Sequence, residues 1–488
     1  MKKIIILLCI ITALLFTACS DFLDTLPPTS ISSEVAIENL DDAESVIHGI
    51  YNDMQSSAYY GHELIIYGDI RADDIQTYNE NNGWYNFYVF NHKRGPGYDL
   101  WATPMRISRN ASRIIEAIDN GKITDGTDTE RNNVKGHAIA LRALAHFDQA
   151  RIYGYPYAKD QGKLWGAIII DHVLEANELP VRNTVEESFT FITQELERAI
   201  PLMSDQKHPY NTLNSYGARA LLARVYLYWD KNDKAYEIAG TLIEELKSSS
   251  YRLFTRDEYL EAFAYNSEGT NFNPESLLEI FNTPSDNPAR NSLGFNYQTA
   301  GYYSYCVTKD FHDLIRTDPD DIRNGMVKVA TVAQNERPFL IKYPGSADNV
   351  AAFDNNYPLI RLSEVYLIAA EAAIKSSNAS LKTKGLEYLN AIVQRANPNK
   401  SVSNAEYTLD RVLEERRKEL VGEGHRFFDL LRNGKKFQRT GGYHLPNATG
   451  FDISWDYDFS ILGVPYNEFI LNPMMKQLGQ QNPGYTYE

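Results

Sequence analysis

Small and large side chains follow one another at a regular spacing in the helical segments of this chain. From Leu222 the order runs Leu222, Ala223, Tyr226, then Ala235, Ala239 and Leu242. This is close to the tetratricopeptide arrangement, in which small residues let two antiparallel helices approach and large ones interlock. Ala143, Phe147 and Ala150 in ALRALAHFDQARIYGYP repeat part of the pattern and stop near Pro156. No strict tetratricopeptide period recurs, so the repeats are irregular and interrupted. Apolar periodicity predicts helices at about 36–56, 103–119, 134–153, 184–202, 214–229, 232–247, 361–376, 383–396 and 409–431. The expected fold is therefore mostly α: irregular tetratricopeptide-like helix pairs forming a right-handed superhelical scaffold.

The interruptions carry the second signal. Residues 58–101 and 251–310 lack a helical period and are rich in Gly, Asn, Asp and Tyr, which predicts long loops and short strands such as SLLEIF. Loops this long in a compact protein are usually functional or disordered. Their aromatic content argues for function, and the ligand site is expected in this loop-rich half.

At the N-terminus, Lys2 and Lys3 precede an apolar run from Ile4 to Phe16, followed by Thr17, Ala18 and Cys19. The run is too short for a stop-transfer helix and reads as a signal peptide over residues 1–18. A small residue directly before a cysteine is the pattern of a bacterial lipoprotein cleavage site. Cys19 is thus the expected lipid attachment, with acyl chains that anchor without spanning. Residues 19–34, with Pro27 and Pro28, form a polar spacer, and 35–488 are expected to be one α-rich domain. Cys9 leaves with the signal, which leaves Cys306 alone and no internal disulfide.

The 488-residue chain has 43% hydrophobic and 23% charged residues and a mean hydropathy of -0.41, the composition of a globular protein. Removing Lys2 and Lys3 takes the formal charge from -16 to -18. That balance excludes nucleic acid, which needs a basic footprint, and weakly disfavours anionic ligands.

Residues 414–435, EERRKELVGEGHRFFDLLRNGK, are dense in charge and contain His425. Leu413, Leu420 and Phe427 recur every seven residues, with Val421 and Phe428 beside them, which marks a buried helical stripe. Glu414 with Lys418, His425 with Asp429, Glu423 with Arg426, and Asp429 with Arg432 are three or four apart and are expected to pair on one helical face. Gly422 and Gly424 are costly inside a helix and point to a kink or a close backbone contact. No HExxH spacing or histidine pair lies nearby, so a buried scaffold network is expected, with no metal and no catalytic role.

The extended segment VLEERRKELVGEGHRFFDLLRNGK resembles the characteristic stretch of the SusD/RagB family, surface nutrient-binding lipoproteins of Bacteroidetes. KGHAIALRALAHFDQARIYGYP at 135–156, YGARALLARVYLY at 216–228, IRLSEVYLIAAEAAI at 360–374 and LNPMMKQLGQQNPGY at 471–485 are similar to further family segments in the family's order. The N-terminal CSDFLD is similar too. One departure is Gly463-Val464-Pro465, where the family often has Pro-Ile-Pro. The resemblance implies a non-enzymatic protein on the outer membrane, facing the cell exterior. Its implied role is to capture a glycan and deliver it to a SusC-like TonB-dependent transporter. RagB-type members are linked to peptides instead, and the shared motifs do not name the ligand.

Sugar recognition needs flat aromatic faces beside hydrogen-bonding amides, carboxylates and guanidinium groups. YGDIRADDIQTYNENNGWYNFY at 67–88 supplies Arg71, Asp73, Tyr78, Asn81, Asn82, Trp84 and Tyr85. NYQTAGYYSYC at 296–306 supplies Tyr297, Tyr302, Tyr303 and Tyr305. The candidate ligand residues are Arg71, Asp73, Asn81, Trp84, Tyr85, Tyr302 and Tyr303, with Trp84 the strongest. Trp101 reads as structural. The expected ligand is a neutral glycan, and no cofactor is called for. A peptide ligand is the first alternative, with a protein–protein scaffold and a hydrolase more distant. Hydrolysis needs two carboxylates placed across the scissile bond. With 64 acidic residues some pair always looks plausible, so their number carries no information. No nucleophile elbow, phosphate loop or zinc spacing is present.

Overall fold

The structure is a computed structural model that describes residues 37–91, 99–206, 212–264, 273–345, 354–440, 442–448 and 451–487. The expected signal peptide, the lipidated Cys19 and the spacer lie outside the described residues. Among the described residues no helix is long and apolar enough to cross a membrane.

The predicted helices form at Leu40–Gln55, Asp99–Asp119, Asp128–Tyr153, Val185–Ala199, Ser215–Tyr228, Asn232–Leu246, Leu362–Lys375 and Leu381–Ala396. They stack as neighbours: Asp99–Asp119 on Asp128–Tyr153, Ser215–Tyr228 on Asn232–Leu246, and Leu362–Lys375 on Leu381–Ala396. The fold is mostly α and tetratricopeptide-like, as the small-residue pattern requires. Ala143, Ala150, Ala223, Ala235 and Ala239 are all buried at the helix contacts. Two helices start on complete capping boxes, Thr127 with Glu130 and Thr184 with Glu187, each satisfying two backbone donors at a helix N-terminus. Trp101 is buried with its ring edge-on to Tyr153 at 4.7 Å, a structural position.

The described strands form five two-stranded antiparallel ladders and no closed sheet. Ser276–Ile280, within SLLEIF, pairs with Tyr357–Arg361. Ile75–Thr77 pairs with Tyr305–Val307, with Gln76 opposite Cys306. This second ladder matters most for the site, because it clamps the two aromatic loops together. Cys306 is a buried free thiol, and burial pushes its pKa up to about 12.

Two expectations are corrected. The segment 58–101 contains a helix, Glu63–Ile70, in which every residue from Leu64 to Ile70 is buried. A helix buried on all sides has no amphipathic contrast, so periodicity does not reveal it. The single helix expected at 409–431 is two, Leu409–Glu419 and Arg426–Arg432, divided by a turn in which Gly422 and Gly424 take φ of +80° and +76°. These left-handed values suit glycine. Here they seat the turn directly on the helix Glu63–Ile70, where a Cβ on Gly424 would lie 2.9 Å from Ile65 Cα.

The break re-routes the charges. Lys418 pairs with Glu414 at 2.8 Å and Arg432 with Asp429 at 2.6 Å, as expected within each short helix. Glu423, carried off by the turn, meets Arg361 at 2.8 Å and Lys342 at 2.5 Å in place of Arg426. Arg426 reaches Asp73. The pairing expected between the His425 and Asp429 side chains gives way to a backbone bond, Asp429 N–H to His425 O at 2.9 Å. His425 is buried with Nδ1 3.9 Å from Glu364 Oε1, and burial lowers its pKa to about 4 despite that carboxylate. It is a neutral packing residue at neutral pH.

Candidate ligand-binding site

The ladder between Ile75–Thr77 and Tyr305–Val307 delivers both aromatic loops to one place. Beyond it, Tyr78 N–H donates to Ser304 O at 2.8 Å and Asn82 Nδ2 donates to the same oxygen at 2.9 Å. Ser304 in turn is held by Asn296, through N–H to O and Oγ to Oδ1, both 2.8 Å. Asn79 and Asn82 each accept from a backbone N–H two residues on, at Asn81 and Trp84, a short-range turn that asparagine favours. The asparagine-rich stretch is therefore an ordered wall that presents Trp84 at its end.

The two loops border an open cleft of about 490 Å³ lined by His62, Glu63, Asn79, Asn81, Asn82, Trp84, Asn291, Asn296, Tyr302 and Tyr305, with Ser57, Gly83 and Ser304. Trp84 is half-buried, edge-on to the His62 ring at 6.1 Å and tilted against Phe87 at 4.8 Å. Tyr302 is 48% exposed and rests edge-on against Phe295 at 4.7 Å. Two supported aromatic rings thus flank a set of amide side chains. Burial pushes the His62 pKa down to about 3, and its Nε2 lies 3.1 Å from the Tyr305 hydroxyl, so the imidazole is neutral at neutral pH. No lysine or arginine is among the described lining residues, and Glu63 is their one carboxylate. Among the described residues, no group of three His, Cys, Asp or Glu side chains is placed to hold a metal ion.

The structure divides the predicted site residues. Asn81, Trp84 and Tyr302 line the cavity together, as do Asn82 and Tyr305. Tyr85 and Tyr303 stand outside that lining. The Tyr85 hydroxyl accepts from Asn447 Nδ2 at 3.0 Å, and Tyr303, at a φ of +39°, meets Tyr78 edge-on at 5.3 Å. Arg71 and Asp73 are corrected to scaffold. Arg71 is fully buried among Phe90, Tyr67 and Phe427, with its guanidinium 4.4, 4.8 and 5.0 Å from the ring centres, and it donates to Phe459 O. Burial alone would raise the pKa of Asp73. The charges of Arg426 and Arg417 instead hold it below the ordinary carboxylate range, with Arg426 bonded to both oxygens at 2.8 and 2.9 Å. Tyr297 is likewise buried, donating to Asp69 at 3.0 Å. Residues that sequence reasoning missed are His62, Glu63, Asn79, Asn291 and Asn296. The two last flank SLGF just before the tyrosine cluster, and their polarity beside it was the available signal.

The protein is thus a scaffold of paired helices that carries a loop-built pocket of amides and aromatic rings. A model of the SusD family matches residues 225–486, and a model described as starch-binding associating with outer membrane matches residues 21–227. The chain belongs to the SusD family. A SusD superfamily protein from Bacteroides vulgatus is 42% identical, with 92% of this chain and 100% of that one aligned and a TM-score of 0.87. A SusD-like protein from Bacteroides ovatus is 25% identical over 86% of this chain and 80% of its own length. Surface glycan-binding protein A from Bacteroides thetaiotaomicron, solved in complex with laminarihexaose, shares the fold at 20% identity, with 88% and 97% of the chains aligned and a TM-score of 0.67.

Proposed function

We propose that this protein binds a neutral glycan at the cell surface, in the pocket flanked by Trp84 and Tyr302, and passes it to a SusC-like TonB-dependent transporter. The observation that carries the reading is the pairing of two supported aromatic rings with an asparagine-rich wall and no cationic side chain in the described lining. Apolar sugar faces stack on such rings, amides match hydroxyl groups, and an anionic sugar would find no counter-charge. The Bacteroides thetaiotaomicron protein of the same fold, held with laminarihexaose, supports a glycan over a peptide. Asn81, Trp84 and Tyr302 are the proposed contacts, and Tyr85 and Tyr303 lie outside the described lining. Cys19 carries the lipid that holds the protein on the outer membrane. The proposed role is capture, with Glu63 the carboxylate among the described lining residues.

Isothermal calorimetry of the purified full-length chain against starch, laminarin, xylan, mannan, levan and a mixed tryptic peptide pool tests the reading. Heat from a neutral polysaccharide without reducing-end release supports it. Heat from the peptides alone shifts the ligand to peptide, and release of reducing ends restores a hydrolase.

A further inference from the structure

A second cavity, of about 500 Å³, opens between the helix Leu40–Gln55, the helix Asp128–Tyr153 and the strand Ser276–Ile280. It adjoins the first. Gln55 lines the second cavity and Ser57 the first, and two residues of chain span at most about 7 Å. On the facing loop, Asp286 lines the second cavity and Asn291, five residues on, the first. Within the second cavity's wall Gln55 ties the helix to the facing loop: its Nε2 donates to Phe281 O at 2.9 Å and Asp286 O at 3.2 Å.

The lining shares rings and amides with the first pocket and adds the aliphatic side chains of Ile47, Val134 and Ile280. Tyr51 and Phe281 bring half-buried rings, and Tyr51 is fixed in place by the Leu213 N–H donated to its hydroxyl at 2.9 Å. Asn52 and Asn133 bring amides. Again no lysine or arginine is among the described lining residues. The lining also carries three acidic residues, Glu44, Glu279 and Asp286; carboxylates are hydrogen-bond acceptors suited to sugar hydroxyls and disfavour an anionic ligand.

We propose that this cavity is a second subsite for the same neutral glycan, taking sugar units beyond those held at Trp84 and Tyr302, so that the protein grips a stretch of polymer and not a single end. The proposal rests on the glycan reading above. Two linked sites on one chain raise apparent affinity for ligands long enough to reach both and leave short ones unaffected. An avidity term therefore separates this arrangement from a lone pocket.

The test takes the polysaccharide that binds in the panel above, with its trisaccharide and its longest soluble oligosaccharide, and measures affinity for the wild-type chain, His48→Trp and Phe281→Ala. His48 sits exposed on the second cavity's helical wall, so the indole fills the cavity mouth without disturbing the core. A thermal melt equal to wild type verifies folding, and His48→Trp keeps the test valid where Phe281→Ala unfolds the chain. The expected result is about a tenfold loss for the long ligand with the trisaccharide unchanged, while Trp84→Ala weakens both lengths. A long-to-short affinity ratio equal to wild type in His48→Trp, whether neither length or both are weakened, overturns the second subsite and leaves the glycan reading standing. Failure of every polysaccharide to bind overturns both.

Discussion

The Gly424 N–H donates to the Asp69 carboxyl across 3.2 Å, joining the charged turn at 420–425 to the helix that leads into the first binding loop. Tyr297, from the second loop, donates to the other oxygen of Asp69 at 3.0 Å. One buried carboxyl thus ties together the family-like turn and both loops of the pocket.

Its titration is testable. Burial pushes Asp69 up to about 8, despite the hydrogen bonds from Tyr297 and Gly424. A carboxyl raised in the folded state contributes full stability below its unfolded pKa of about 4 and loses it progressively as pH rises towards 8. Asp69→Asn cannot ionise, so its melting temperature relative to wild type is expected to rise between pH 5 and pH 8. A difference that stays flat over that range refutes the assignment.

Two glycines give opposite signs. A Cβ on Gly68 would collide with the backbone carbonyl of Gly424, which no side-chain motion relieves, whereas nothing lies within 4 Å of a Cβ on Gly49. Gly68→Ala is expected to cost roughly 3 kcal/mol or more, in line with overpacked sites. Gly49→Ala, inside the helix Leu40–Gln55, is expected to gain about 0.5 to 1 kcal/mol through helix propensity. Urea unfolding of both variants checks the pair.

Glu419 is the centre of the buried ion network. Arg395 lies 2.6 Å from it, Arg361 2.7 Å and Arg323 3.3 Å. Burial would raise its pKa, but these three charges outweigh burial and hold it well below the usual range. Removing one member of such a network leaves uncompensated buried charge, so Glu419→Gln is expected to cost about 3 to 5 kcal/mol. Breaking the exposed Lys384 and Glu387 pair is expected to cost less than about 0.5 kcal/mol. The depressed pKa also gives a direction: stability from Glu419 is present above its unfolded pKa of about 4.3 and is lost as pH falls further. Denaturation midpoints at pH 7 and pH 4 test both statements.

What the sequence made legible follows its physics. Helices with one buried face, such as Asn232–Leu246 with Ala235, Ala239 and Leu242 inward, announce themselves by period. Glu63–Ile70, buried on every side, has no period to read. Residues 67–88 look like one binding loop by composition, yet Arg71 and Asp73 turn inward. Their partners, Phe459 and Arg426, lie more than 350 residues away. Distance along the chain hides such pairing. Asn81 and Trp84 were legible because polar and aromatic residues with no helical face to bury them have to be accounted for at the surface. His62 and Asn291 line the same cavity beside the ladder at Ile75–Thr77 and Tyr305–Val307, whose three-residue strands are too short to recognise from pattern.

The pocket itself yields the last prediction. If sugar faces stack on Trp84 and Tyr302, truncating either ring removes one stacking partner, which is worth about 0.5 to 1.5 kcal/mol beyond area. Trp84→Ala and Tyr302→Ala are each expected to weaken binding up to about tenfold, while Tyr85→Phe, altering a hydroxyl engaged with Asn447 outside the described lining, leaves affinity unchanged. Binding should also be flat from pH 8 down to pH 5, because burial keeps His62 neutral until about pH 3. Titration calorimetry over that range reads both effects. Equal affinity for all three variants moves the ligand away from this cavity, and a fall in affinity centred near pH 6.5 means the imidazole is exposed to protonation.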